Sequence, residues 1–289
     1  MQTTLDHIII IVADLAKATA AYTTLLGRDP SWTGSHPDLG THNTLFRLDN
    51  TYLELLAVGD DADAGAGPGA DFVRDHLDRR GPGLAGLVFG VDDADALVTR
   101  LRAHGVPAAP PMDGHGHDEK TGAVRRWRNV LWPRTAARGV FSFGIQHHDA
   151  DALPIAPVNV EGPLTAVDHV VITTADAAAA KAFYGDALDI RLALEQSKPQ
   201  WGGDMLFFRT SHLSIEVIAS KSADADEDQL WGVAFKTNDL QATRVRMTAA
   251  GVRVSPIRVG RKPGTEVATI ESHCLGVPTL LVGLRPASG

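Results

Sequence analysis

Two stretches decide how this chain is read: "LDHIIIIVADL" at residues 5–15 and "VDHVVITTADA" at residues 167–177. Each sets Asp-His at the start of a run of β-branched residues and then reaches an aspartate, the pattern of a buried strand followed by a helix cap. Asp6-His7 recurs as Asp168-His169, 162 residues on. The same offset carries Asp14 to Asp176, Tyr22 to Tyr184, Leu26 to Leu188, Phe46-Arg47 to Phe208-Arg209 and Glu54 to Glu216, with no gap. His and Glu therefore stand 47 residues apart in both copies. A weaker repeat, offset by 146, relates 84–150 to 230–289 through Gly86 and Gly232, Asp93 and Asp239, Arg100 and Arg246, and Gly105-Val106 and Gly251-Val252.

Four modules follow, at 1–60, 82–150, 164–221 and 229–289, separated by small-residue acidic or Pro-rich stretches such as "GDDADAGAGPG", "DADALPIAPVNVEGP" and "KSADADEDQ". In the first, Asp14 is placed to cap a helix, Leu15, Ala18, Tyr22, Leu25 and Leu26 keep helical spacing, and Gly27 marks its stop. "NTLFRL" and "TYLELLAV" then read as strands joined by a "DN" turn. The third module repeats this plan, and the second and fourth open on "GLVFGVDD" and "WGVAFKTND". The expected class is α+β: four βαβββ modules forming two tandem domains, 1–150 and 164–289.

The chain has 289 residues, 44% of them hydrophobic, and a net charge of −8, which speaks against a nucleic-acid partner. "VRRWRN" alternates and reads as a strand with one solvated face. The single cysteine, Cys274, excludes an internal disulfide and a Cys-rich zinc site. No apolar run reaches the ~18–20 residues of a membrane span, so no membrane partner is expected. "MQTTLDHII" lacks the basic start and cleavage site of a secretory signal, which makes a cytoplasmic location the expectation.

The repeated "DH" and the Glu of the fourth strand resemble the vicinal oxygen chelate superfamily, which includes glyoxalase I, extradiol dioxygenases and fosfomycin- and bleomycin-resistance proteins. "SHPDLGTHNTLFRLDNTYLELLAV" is similar to its glyoxalase-like branch, and the third module resembles a glyoxalase/bleomycin-resistance module. The resemblance implies two tandem glyoxalase-like domains whose sheets curl around cups. It implies a divalent ion (Zn, Ni, Co, Mn or Fe) held by residues of the first and fourth strands: His7 and Glu54, His169 and Glu216. The chain departs from the pattern in the even modules, where Gly86 and Gly232 take the His position and Gln146 and Leu280 the Glu position. If module one faces module three, the four ligands converge on one ion. If module one pairs with module two, each half offers only a pair, with Gln146 as a possible third group.

Each residue also has a plainer reading. A carboxylate in a strand as apolar as "YLELLAV" or "LSIEVIA" is costly unless bonded, but it is harmless if that strand face is wet. His36, His42 and Asn43, in "TGSHPDLGTHN", are either a polar loop or a rim that holds substrate. Gln146 and Trp201 are placed as pocket residues, "DGHGHDEKTG" as a mobile loop and "GAGPGAD" as linker. The expected function is a metal-dependent lyase or isomerase of glyoxalase type, acting on a small molecule with adjacent oxygens through an enediolate. A displaced Glu54 or Glu216 would serve as base. A metal-free binding protein and an extradiol dioxygenase are the alternatives, and a monomer or homodimer is expected.

Overall fold

The structure, a computed structural model, describes residues 3–59, 66–148, 153–198, 203–220 and 222–285. The first half runs β1 (Thr4–Ile11), α1 (Leu15–Leu26), β2 (Trp32–His36), β3 (Thr41–Arg47), β4 (Tyr52–Val58), α2 (Pro68–Arg80), β5 (Gly83–Gly90), α3 (Ala94–Ala103), β6 (Met112–Asp118), β7 (Val124–Leu131) and β8 (Phe141–His147). The second runs β9 (Leu164–Thr174), α4 (Ala177–Ala180), which continues as a π-helix over Lys181–Ala187, β10 (Arg191–Lys198), β11 (Gly203–Arg209) and β12 (Ser214–Ala219). It closes with β13 (Gln229–Thr237), α5 (Leu240–Ala249), β14 (Arg258–Val259), β15 (Thr265–Ile270) and β16 (Thr279–Leu284). Among the described residues no helix is long and apolar enough to cross a membrane.

The strands form two sheets of eight. One is a closed barrel in the order β1-β4-β3-β2-β6-β7-β8-β5; the other is open, in the order β10-β11-β12-β9-β13-β16-β15-β14. Module one thus shares its sheet with module two, and module three with module four. The α+β expectation of four modules in two tandem domains holds. β2 and β6 occupy stretches read as loops, and α2 begins inside a stretch read as linker.

Every module starts its helix in the same way. Asp14, Asp93, Asp176 and Asp239 are extended at the N-cap, and each side chain accepts from the backbone N–H three residues on. This bond satisfies a donor that a helix cannot pair internally.

The chain packs into two compact units. One comprises Met1–Ile9, Leu84–Ala152 and His169–Trp231, and the other Ile10–Gly83, Leu153–Asp168 and Gly232–Gly289. In the first, Arg100 of α3 donates to the carbonyls of Asp186 and Ala187 at the end of the π-helix and pairs with Asp189 at 3.1 Å. In the second, Arg246 of α5 donates to the carbonyls of Thr24 and Leu25 at the end of α1, and to Gly162. Arg100 and Arg246 are repeat partners, and so are the carbonyls they reach. Each guanidinium fills acceptors that a helix end leaves open and opposes the negative end of its dipole.

Behind the sheets, Tyr22 and Tyr184 fill equivalent places. Tyr22 packs on Phe46, and Tyr184 on Phe208, Phe183 and Phe89. Both hydroxyls are buried without a hydrogen-bond partner, and burial pushes both phenols far above their ordinary pKa. An unmet buried hydroxyl costs about 1–3 kcal/mol. Y22F and Y184F are therefore each expected to stabilise the protein, raising the urea midpoint with no change in m-value.

Candidate active site

In the second unit, β3 lies in register between β2 and β4. Trp32 faces Leu45, Gly34 faces Asn43 and His36 faces Thr41; across the other edge Leu45 faces Glu54 and Asn43 faces Leu56. Strand side chains alternate, so Trp32, His36, Thr41, Asn43, Leu45, Tyr52 and Glu54 share one face. The opposite face packs on α1, where Thr19 donates to Thr44 at 3.0 Å and Tyr22 lies against Phe46. Trp32, Leu45 and Tyr52 join Leu153 in an apolar cluster at one end of the site face.

The other end is polar and chained together. The Asn43 amide nitrogen donates to Glu54 Oε1 at 2.7 Å and stands 3.5 Å from His36 Nε2; His36 Nδ1 lies 3.1 Å from the Thr41 hydroxyl. Asn43 is 4% exposed and Glu54 8%. A carboxylate removed from water needs such a donor. Glu54, His36 and Asn43, all singled out in the sequence, are thus brought together.

His42 is not with them. It sits on the α1 side of β3 and lines a surface groove with Ala13, Asp14, Leu15, Ala16, Ala57 and Val58. One residue of strand register separates it from the site face. The same correction applies to Gln146, whose Oε1 accepts from the Ala94 amide at 3.0 Å while its Nε2 donates to the Asp92 carbonyl at 2.8 Å. Both ends of that side chain hydrogen-bond to the start of α3. Trp201 lies outside the described residues.

The register also shows which residue of β8 takes the carboxylate position. In β9 and β12, His169 faces Ser214, and Val171 faces Glu216. In β5 and β8, Gly86 faces Phe141, and Val88 faces Phe143. Phe143, not Gln146, is therefore the counterpart of Glu216, and its ring meets His7 edge-on with centroids 6.2 Å apart. In module four the same position is Leu280, facing Ala234.

His7, 4% exposed, has its Nδ1 2.7 Å from Asp6 Oδ1, and Asp6 Oδ2 lies 3.1 Å from His147 Nε2. Burial alone would raise the Asp6 pKa, but the hydrogen bonds and charges of His147 and His7 hold it far below the usual carboxylate range. Asp6 was visible in the "DH" pair. His147, one residue beyond Gln146, was missed because the strand's parity was misread. In the third module, His169 Nε2 and Glu216 Oε2 are 3.6 Å apart.

Residues 5–188 match the profile of a family described as a glyoxalase-like domain, more than half of the chain. The chain belongs to that family. Residues 168–269 match the glyoxalase/bleomycin resistance protein/dioxygenase superfamily, so the whole is a member of the vicinal oxygen chelate superfamily. A hypothetical protein from Staphylococcus aureus has the same fold, with a TM-score of 0.68 and 13% identity over 98% of this chain and 100% of that one. A mutant of 4-hydroxymandelate synthase from Streptomyces coelicolor is similar as well, with a TM-score of 0.67 and 16% identity over 100% of this chain and 95% of that one. At these identities the likeness is one of fold. No curated protein sequence matches.

A resident catalytic ion would need a grouped set of donors. Such an ion takes about three protein donors. Among the described residues no three His, Cys, Asp or Glu side chains are grouped to hold one. His7 and Glu54 belong to strands of the barrel, and His169 and Glu216 to strands of the other sheet. The missing imidazoles have no room either. A Cβ at Gly86 would come within 2.8 Å of Phe141, and one at Gly232 within 2.8 Å of the Pro278 carbonyl.

Proposed function

We propose that this glyoxalase-like chain is an isomerase or lyase that removes a proton beside a carbonyl of a small substrate with adjacent oxygens, and that Glu54 is the base. One observation carries this reading: a carboxylate 8% exposed, gripped by the Asn43 amide at 2.7 Å on the strand face turned away from the helix. Burial strips that carboxylate of most of its water, the setting in which a general base acts. Its fixed partner holds it in one geometry, which is what proton abstraction from a bound substrate demands. Trp32, Leu45 and Tyr52 offer an apolar surface for the carbon skeleton, next to the polar end formed by His36, Thr41 and Asn43. Glu216, the other candidate base, lies 3.6 Å from His169.

The reaction needs no step through an ion. Glu54 takes the C–H proton, the bonding pair becomes the C=C bond of an enediolate as the carbonyl pair moves onto oxygen, and the same carboxylic acid returns a proton to carbon; return to the second carbon is accompanied by passage of the hydroxyl proton to the former carbonyl oxygen. Solvent deuterium entering a carbonyl-adjacent C–H, followed by NMR, tests this directly. The exchange rate is expected to survive dialysis against EDTA. Loss on dialysis with recovery on adding Zn, Ni, Co, Mn or Fe would restore the metal-dependent reading.

A further inference from the structure

β6 reads MDGHGHD, and its pairing with β7 sets Gly114 opposite Trp127, His115 opposite Arg126, Gly116 opposite Arg125 and His117 opposite Val124. Strand side chains alternate, so Gly114 and Gly116 share the Trp127 face, and His115 and His117 project together from the other. Gly114 is required there, because a Cβ would run into the Trp127 indole nitrogen. Both histidines are exposed, while Gly116 between them is buried. Their rings meet edge to face with centroids 5.3 Å apart. Backbone bonds from the Asp118 amide to the Ala123 carbonyl at 2.9 Å, and from the Gly122 amide to the Asp118 carbonyl at 2.8 Å, close the hairpin that carries them. The two imidazoles therefore stand on paired backbone.

We propose that His115 and His117 chelate a borderline divalent transition ion, Cu(II), Ni(II) or Zn(II), through one ring nitrogen each. Imidazole nitrogens bind such ions at about 2.0–2.1 Å, which sets two neighbouring donors about 3 Å apart. Each ring nitrogen stands off its centroid, so rings 5.3 Å apart reach that spacing by side-chain rotation alone. Nitrogen donors pass over Ca and Mg, which take oxygen, and the usual order of affinities puts Cu(II) first. Asp113 continues the same face but stands about 13 Å along the strand from His117, out of reach of an ion held by both rings. Among the described residues no third His, Cys, Asp or Glu is grouped with the pair, so water or a small anion fills the remaining positions. Arg126, opposite His115, is exposed, and solvent screens its charge from the ion. The site is independent of the role of Glu54.

The chain has 12 histidines, so the test must tell this pair from the rest. Zn(II), added to the protein in less than equimolar amount, is expected to shift the ring resonances of His115 and His117 together in NMR before those of any other imidazole. Cu(II) is expected to show two coordinated imidazoles by electron spin-echo envelope modulation in the wild-type protein and one in H115A or H117A. Each substitution is expected to weaken Cu(II) binding at least about tenfold, since linking a second donor multiplies affinity by about 10²–10⁴. Both side chains are exposed, so both variants are expected to fold. H104A, which removes another exposed imidazole, is expected to bind Cu(II) as the wild type does. First shifts at other histidines, a single imidazole on wild-type copper, or undiminished affinity in H115A and H117A would each overturn the proposal. None of these outcomes touches the deuterium exchange assigned to Glu54.

Discussion

E54Q is expected to lower the rate of solvent deuterium exchange into the carbonyl-adjacent C–H of a small substrate by about 10²–10⁴-fold, the usual contribution of a positioned general base. The substitution keeps the side chain's length and shape. Its amide oxygen still accepts from Asn43, so the chain His36–Asn43–Glu54 persists and the fold is expected to melt near the wild-type temperature. What disappears is the negative charge and with it the ability to take a proton. An E54Q protein that retains more than a tenth of the wild-type rate would transfer the role of base elsewhere.

R246A is expected to cost about 2–4 kcal/mol of stability, far more than a typical surface substitution. The Arg246 guanidinium donates to the carbonyls of Thr24, Leu25 and Gly162, and burial pulls its pKa below the ordinary value, so it has given up hydration to make these bonds. Truncation strands carbonyls from two segments at once. Gly27 shows how closely the guanidinium is fitted: a Cβ there would come within 3.1 Å of its central carbon. Lysine is no substitute, since one ammonium cannot reproduce a planar fork. R246K is expected to recover less than half of the loss in urea denaturation. Arg100 makes the same type of contact with 31% of its side chain exposed, so R100A is expected to cost less. A loss below about 0.5 kcal/mol for R246A would show that the capping bonds exchange freely with water.

Much of this architecture was legible in the chain. The gap-free repeat of Asp-His, Tyr and Glu announced the modules, and the four aspartates after the opening strands cap four helices. The illegible parts have physical causes. β2 (WTGSH) and β6 (MDGHGHD) are poor in apolar alternation; their neighbours in a closed sheet make them strands, not their own propensity. His115 and His117, read as part of a loop, sit two residues apart on β6 with their rings 5.3 Å apart. α2 rises out of a glycine-rich stretch because Pro68 opens it and only Ala70 and Val73 are buried, too little for a visible periodicity. Gln146 is the residue that alignment by type places at the carboxylate position, whereas the register places Phe143 there, because type does not fix strand parity and an odd shift exchanges the two faces.

The open sheet has two margins, and the barrel has none. A terminal strand exposes a row of unsatisfied amides and carbonyls that invites a strand from another molecule. At one margin β14 is only two residues long, Arg258–Val259, and offers little for a visitor to grip. At the other, β10 carries Arg191 and Glu195, and its pairing with β11 slips between Leu192 and Leu194. Brevity guards one side, and charge with a local kink guards the other. A protein built by repeating a sheet-forming module thereby avoids extending that repetition from one molecule to the next.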